Sequence, residues 1–264
     1  MLTFDAEVTR ILDNAYQGAD ITRRRRASFD ALKPGPGEAI LDVGCGNGLL
    51  TRELARAVGP EGQIIGIDPS DDMLSVAKEK CGAFDQVSFL RGVATDLPLD
   101  DAFADKAVSV QVFEYTDDIR AAAAEVLRCI KPGGMLVISD LHFGSFIWFS
   151  DVPDRMERMK SSRDQHFASG SIPERLPALL RSEGHLVEDV VPVTLVDHRL
   201  NPDGVAMMMM HLMRGFAIDQ GHIDAAEAQA WFDQQVALAR DGRFFFSITQ
   251  FVCVARKSGL QEVS

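Results

Sequence analysis

Gly44, Gly46 and Gly48 stand at alternate positions directly after the apolar run Ala39 to Val43, and Leu49 to Val58 follows with helical spacing. A strand that leaves through glycines into a helix can bend sharply and approach a ligand more closely than any Cβ allows, while the helix start offers unpaired N–H groups. The chemistry this suits is cofactor binding. Asp68 comes about 20 residues past the glycines, at the end of a second apolar run, where a carboxylate can accept hydrogen bonds from both hydroxyls of a ribose. Its alternative role, capping the next helix, fits Ser70 better. Asp42 lies inside the first strand and would be a buried charge in need of a partner. Counting a dinucleotide fingerprint from Gly44 requires a third glycine at 49, where Leu49 stands, so a nicotinamide cofactor is disfavoured.

These residues need a frame that places strand ends side by side. Ala39–Val43, Gly62–Asp68, Val87–Arg91, Ala104–Val112 and Met135–Asp140 read as strands of the buried parallel type, alternating with helices over 49–58, 70–80 and 117–130. Later strands are expected over 186–196 and 244–256, and helices over 155–167, 173–184 and 225–240, with the methionine run Met207–Met210 in the segment 202–215. The alternation predicts a doubly wound parallel α/β sheet. Ligands of such sheets lie outside the carboxyl ends of the strands.

In chain order, LDVGCGNG (41–48), GIDPSDDMLSVA (66–77), GVATDLPLDDAFAD (92–105), VQVFEYTDD (110–118) and EVLRCIKPGGMLVISD (125–140) together resemble the class I S-adenosylmethionine-dependent methyltransferases. The closest likeness is to the small-molecule branch that includes ubiquinone and menaquinone methyltransferases. The resemblance covers about residues 38–141 and implies a Rossmann-like sheet of seven strands, mostly parallel with the last antiparallel, and S-adenosyl-L-methionine as cofactor. It assigns cofactor contacts to Asp42, Gly44, Cys45, Gly46, Gly48, Asp68, Pro69, Met73, Val93, Ala94, Thr95 and Gln111, with Asp42 near the methionine end. One position departs from the family's G-D-A pattern, in which an aspartate accepts from the adenine amino group. Val93 stands there, so the side-chain acceptor is gone unless Asp96 or Thr95 reaches the same edge; the backbone contact from Ala94 is kept.

The carboxyl ends of the fourth and fifth strands carry Gln111, Phe113, Glu114, Tyr115, Asp140 and His142, which the resemblance places near the transferred methyl. Glu114 and Tyr115 are candidates for catalysis or substrate orientation, with turn stabilisation as the plainer reading; Tyr115 stands where many relatives have histidine. His142 and His166 are candidate general bases. The six histidines show no ligand spacing, and the four cysteines form no C-x-x-C pair, so no metal site is expected. Cys45 reads as a small residue beside the cofactor rather than a reactive thiol, since no cation neighbours it in sequence.

Residues 1–37 are expected to form helices over the active site, 38–141 the cofactor-binding core, 142–172 and 202–240 cap insertions, 173–201 and 241–257 the rest of the sheet, and 258–264 a tail. The first helix is expected over 4–16, and a second, capped by Asp20, carries Arg23 to Arg26. Four successive arginines cover most of a helix circumference, so one either snorkels or reaches an acidic group of a ligand. Tyr16, Phe146, Trp148, Met207 and His211 are the candidate substrate contacts. Aromatic faces and adaptable methionines suit an apolar or aromatic acceptor, against the plainer reading that they are core.

A net charge of −12 with no basic stripe argues against nucleic acid as a partner. No run reaches the roughly 20 apolar residues of a membrane span, and the start lacks a basic region followed by an apolar one, which predicts a cytoplasmic protein. The expected activity is methyl transfer to a small molecule, with O- or C-methylation favoured and oligomeric state open. The competing readings are a nicotinamide oxidoreductase and a non-catalytic regulatory module that binds S-adenosylmethionine.

Overall fold

A computed structural model describes residues 15–259. The helix expected over 4–16 therefore lies almost wholly outside the described residues. The elements are α1 (Ala19–Leu32), β1 (Ala39–Val43), α2 (Leu49–Val58), β2 (Gln63–Asp68), α3 (Asp71–Cys81), β3 (Val87–Arg91), β4 (Ala104–Val110), α4 (Ile119–Cys129), β5 (Ile130–Trp148), α5 (Pro153–Asp164), α6 (Ile172–Ser182), β6 (Leu186–Asp197), α7 (Val205–Asp219), α8 (Ala225–Arg240) and β7 (Phe246–Arg256). The strands form one seven-stranded sheet in the order β3-β2-β1-β4-β5-β7-β6.

β1 pairs in parallel with both β2 and β4, β2 with β3, and β4 with β5. β7 runs against β5: Gly133 and Lys257 bond at one end, Phe149 and Phe245 at the other, so residue numbers rise on one strand as they fall on its neighbour. The Glu188–Arg256 and Thr194–Thr249 contacts show the same opposition between β6 and β7. The last strand is thus the antiparallel one, as the resemblance implies. Chain order reverses between β1 and β4, and that pair of carboxyl ends is the topological switch point where such sheets bind ligands.

Two compact units divide the chain. One comprises 25–141, 171–193 and 251 onward; the other comprises residues up to 24, 142–170 and 194–250. In the first, strand parity sorts the core onto two faces of the sheet. Leu41, Val43, Ile65 and Ile67 pack with Ala122, Val126 and Leu127 of α4 and with Ile172, Leu176 and Leu180 of α6. Ile40, Ile64, Val108 and Val137 pack with Leu32 of α1 and with Leu50, Leu54, Ala55 and Val58 of α2. The helices begin where short polar side chains can accept from free N–H groups: Ser70 caps α3 through Met73 N, and Asp118 caps α4 through the backbone of Arg120 and Ala121. Asp118 rather than Asp117 therefore sets the start of α4.

The second unit holds α5, α7 and α8, with the outer parts of β5 and β7. Its centre is Trp148, 7% exposed, whose ring lies 4.9 Å from Phe246, 5.4 Å from Phe146 and 5.5 Å from Trp231. The indole N–H donates to Gln235 Oε1 at 2.9 Å. Strand β5 continues eight residues past Asp140, so FGSFIW is strand and not the start of a cap. Phe146 and Trp148 turn inward while Ile147 and Phe149 remain exposed, the alternation a strand imposes. Arg163 is buried between the rings of Phe143 and Phe146, 4.6 and 4.3 Å from their centroids, and pairs with Asp164. Asp20 lies within the first turn of α1 instead of capping it, and accepts from Val205 N at the start of α7.

Candidate functional site

The site in the first unit is built around the glycine turn that follows β1. Gly44, Gly46 and Gly48 all have positive φ, at 74°, 51° and 77°, a region open to glycine at no steric cost. A Cβ on Gly44 would sit 2.1 Å from Val112 Cγ2, and one on Gly48 would sit 2.9 Å from Ala77. Gly44 is thus pressed against the residue that follows β4, which closes the switch point from the other side. Gly44 N and Cys45 N both donate to Ile67 O, tying the turn to β2.

Asp68 ends β2 and is 8% exposed. Its Oδ2 accepts from Gly46 N and its Oδ1 from Ser70 N, each at 2.9 Å. A carboxylate oxygen has two lone pairs, so each oxygen keeps one acceptor direction after these bonds. The backbone fixes the carboxylate, and the remaining directions suit two vicinal hydroxyls. Ser70, not Asp68, is the N-cap of α3.

Asp42 points to the α2 face because it shares strand parity with Ile40, and it is buried there. Thr51, on the inner face of α2, donates its hydroxyl to Asp42 Oδ2 at 2.6 Å. Burial raises the Asp42 pKa from 3.8 to about 7, with the nearby Asp68 charge adding to the rise and the Thr51 hydroxyl opposing it. Sequence reasoning missed Thr51; its signal was a hydroxyl among the apolar positions of an amphipathic helix. Cys45 is buried, and desolvation together with Asp42 and Asp68 pushes its thiol up, which makes it unreactive.

At the end of β4, Gln111 has φ of 58°, an uncommon conformation for a residue with a side chain, and its N–H donates to Ser139 O. Its amide lies 3.5 Å from Glu114 Oε1. Glu114 is buried in the short 3₁₀ turn Phe113–Tyr115, and its N–H faces Asp140 Oδ1 at 3.4 Å. Gln111, Glu114 and Asp140 therefore form one polar group at the ends of β4 and β5. Tyr115 is 53% exposed, in contrast to the buried Glu114 before it.

Beyond Asp68, a recess of about 250 Å³ is lined by Pro69, Arg91, Gly92, Val93, Asp96 and Pro98. Of the other expected cofactor contacts, Ala94 is buried and Met73 and Thr95 are exposed. Val93 and Asp96 line the recess together, whereas Thr95 does not.

In the second unit, Phe146 and Trp148 belong to the aromatic core and Met209 and Met210 are buried, while Met207 and His211 are half-buried. His211 meets Phe232 edge-on at 4.9 Å. His142 is half-buried. His166 is exposed as a residue, yet its ring lies edge-on to Phe167 and Phe216, each at 5.0 Å, and desolvation there lowers its pKa. Tyr16 is exposed. Of the four arginines on α1, Arg24 is buried and donates to Gln250 Oε1, Arg25 pairs with Glu53, Arg26 pairs with Asp30, and Arg23 is exposed. Among the described residues no cluster of histidine, cysteine or carboxylate side chains could hold a metal ion.

Compared with known proteins, residues 41–138 match the family described as methyltransferase domain. An uncharacterized 37.1 kDa protein in transposon Tn4556 of Streptomyces fradiae is 33% identical over 231 residues, covering 86% of this chain and 65% of that protein. Demethylmenaquinone methyltransferase of Staphylococcus aureus strain JH9 is 41% identical over 101 residues, 38% of this chain and 42% of that one. The chain thus spans less than two thirds of the length of either relative. A SAM-dependent methyltransferase from Aquifex aeolicus shares the fold with a TM-score of 0.54 at 18% identity, over 94% of this chain and 99% of that chain. Sheet order, glycine turn and matched segment agree: residues 41–138 match a methyltransferase domain, and the chain has the fold of a SAM-dependent methyltransferase.

Proposed function

We propose that the protein transfers the methyl group of S-adenosylmethionine to a small, apolar or aromatic acceptor at oxygen or carbon. The observation that carries the cofactor half is the fixed Asp68 carboxylate beside a turn in which Gly44 and Gly48 leave no room for a Cβ and all three glycines have positive φ. The cofactor supplies an activated methyl on a sulfonium, so the chain's work is alignment and the exclusion of water. Asp68 would hold the ribose hydroxyls through its open lone pairs. Asp42 would balance positive charge at the methionine end, its carboxylate steadied by Thr51. Gln111, Glu114 and Asp140 would orient groups near the methyl, and the strained φ of Gln111 is the kind of backbone outlier found at binding sites.

For the acceptor, the support is the aromatic and methionine-rich make-up of the second unit, together with a relative named for demethylmenaquinone. Met207 and His211 are half-buried and so the better candidates for substrate contact among the residues expected there; Phe146 and Trp148 would act from behind as support. The net charge of −12 gives no attraction to a nucleic acid, and no helix among the described residues is long and apolar enough to cross a membrane. The test is transfer of labelled methyl from S-adenosylmethionine to a panel of quinols, phenols, carboxylic acids and amines. Labelling of an apolar phenolic or quinol compound supports the reading, and labelling confined to amines or to protein overturns it.

A further inference from the structure

We infer that Asp96 is the residue that reads the adenine amino group, in place of the aspartate that Val93 displaces. The recess is lined by Pro69, which follows Asp68, and by Arg91, Gly92, Val93, Asp96 and Pro98, and Gly92 N donates to Asp68 O at 3.3 Å, so it adjoins the residue assigned to the ribose. Pro69, Val93 and Pro98 give it apolar walls, and Val93 is exposed enough to offer a face suited to a flat base. Asp96 supplies a carboxylate in this lining, and among the described residues that carboxylate has no hydrogen bond or ion pair. Arg91, the basic residue of the recess, is turned to Asp71 at 3.4 Å.

The geometry of the turn explains how a residue three positions away can do the work of position 93. Val93 and Asp96 are partners in an isolated antiparallel bridge, and Asp96 N donates to Val93 O at 3.0 Å. Residues directly opposite in an antiparallel pair present their side chains on the same face, with Cβ atoms close together. An acceptor at 96 therefore faces the same side as an acceptor at 93 would. The turn is also held from behind: Leu97 N donates to Glu125 Oε1 at 2.9 Å, and Arg128 grips the same carboxylate at 2.8 Å. A Cβ on Gly92 would meet Pro98 Cδ at 2.9 Å, so the segment has little freedom to move away. Adenine offers an N–H donor at its amino group, which a carboxylate acceptor recognises and which an oxo group at the same position would lack.

Calorimetric titration of the full chain with S-adenosylhomocysteine and with its analogue bearing hydrogen in place of the adenine amino group tests this. Wild type should bind the adenine compound about three- to tenfold more tightly, the ratio expected for one net hydrogen bond. In Asp96→Ala the ratio should fall to about one, Asp96→Asn should keep part of it through its carbonyl oxygen, and Val93→Asp/Asp96→Ala should restore it. A ratio in Asp96→Ala equal to that of wild type overturns the inference, whether or not both affinities fall, as does a ratio of one in wild type. Failure of wild type to bind either compound would instead overturn the cofactor assignment, and this inference with it.

Discussion

In the function proposed above, Asp42 is the residue whose state decides how the site meets a positively charged cofactor. Its carboxyl holds a proton up to about pH 7 in the folded protein and up to about 3.8 when exposed, so folding takes up a proton between those values. Its contribution to stability is therefore complete below the lower value and is lost as pH rises through the upper one. Binding of a cation has the opposite preference, since it needs the carboxylate. Affinity for S-adenosylmethionine should thus rise from pH 6 to pH 8 and then level off. Thr51→Val removes the hydroxyl that favours ionisation and should move that rise to higher pH; a profile flat from pH 6 to 8 in wild type would remove Asp42 from cofactor binding. Asp68→Ala should weaken cofactor binding more than any other non-glycine change, by about 1.5–3 kcal/mol for each charge-assisted bond lost, because its two oxygens are set by Gly46 and Ser70. An unchanged dissociation constant would remove the ribose assignment. Cys45 should resist alkylation at pH 8 in the folded protein, where its thiol stays protonated; rapid labelling would show that the turn opens.

At the scale of elements, the long β5 separates what could be read in the sequence from what could not. Its first half, with β1 to β4 and the helices between them, follows from apolar runs, glycine exits and cap residues, each of which acts locally. Asp68 and the glycines were legible for the same reason. The second half of β5 was not, because Phe143, Phe146 and Trp148 are equally consistent with a cap that touches substrate and with a strand that buries alternate residues. Only the partner decides, and the partner is β7, about a hundred residues away. The contacts of Asp42 with Thr51 and of Asp20 with Val205 were hidden in the same way, since both join elements whose proximity no local pattern specifies. Trp148→Ala should accordingly act on folding: removing a buried ring from among Phe146, Trp231 and Phe246 should cost about 3–5 kcal/mol and lower the melting temperature. A variant with wild-type melting behaviour and a raised Michaelis constant would return Trp148 to the substrate site.

For the whole molecule, the order β3-β2-β1-β4-β5-β7-β6 places the reversal of strand order between β1 and β4. Gly44 and Val112 meet there, and the polar group of Gln111, Glu114 and Asp140 follows at the ends of β4 and β5. Such a sheet serves many chemistries, so the cofactor must be argued from the residues at the switch point. Leu49 stands where a dinucleotide fingerprint needs its third glycine, and Gly48 precedes it in a left-handed conformation at the start of α2. The first unit accordingly fits an adenosine joined to a short charged chain better than one joined to a pyrophosphate. Parallel calorimetric titrations of the full chain with S-adenosylmethionine and with NADH test that claim most directly. Saturable one-to-one binding of S-adenosylmethionine with no heat from NADH is the expected result, and binding of NADH in the absence of any binding of S-adenosylmethionine would contradict it.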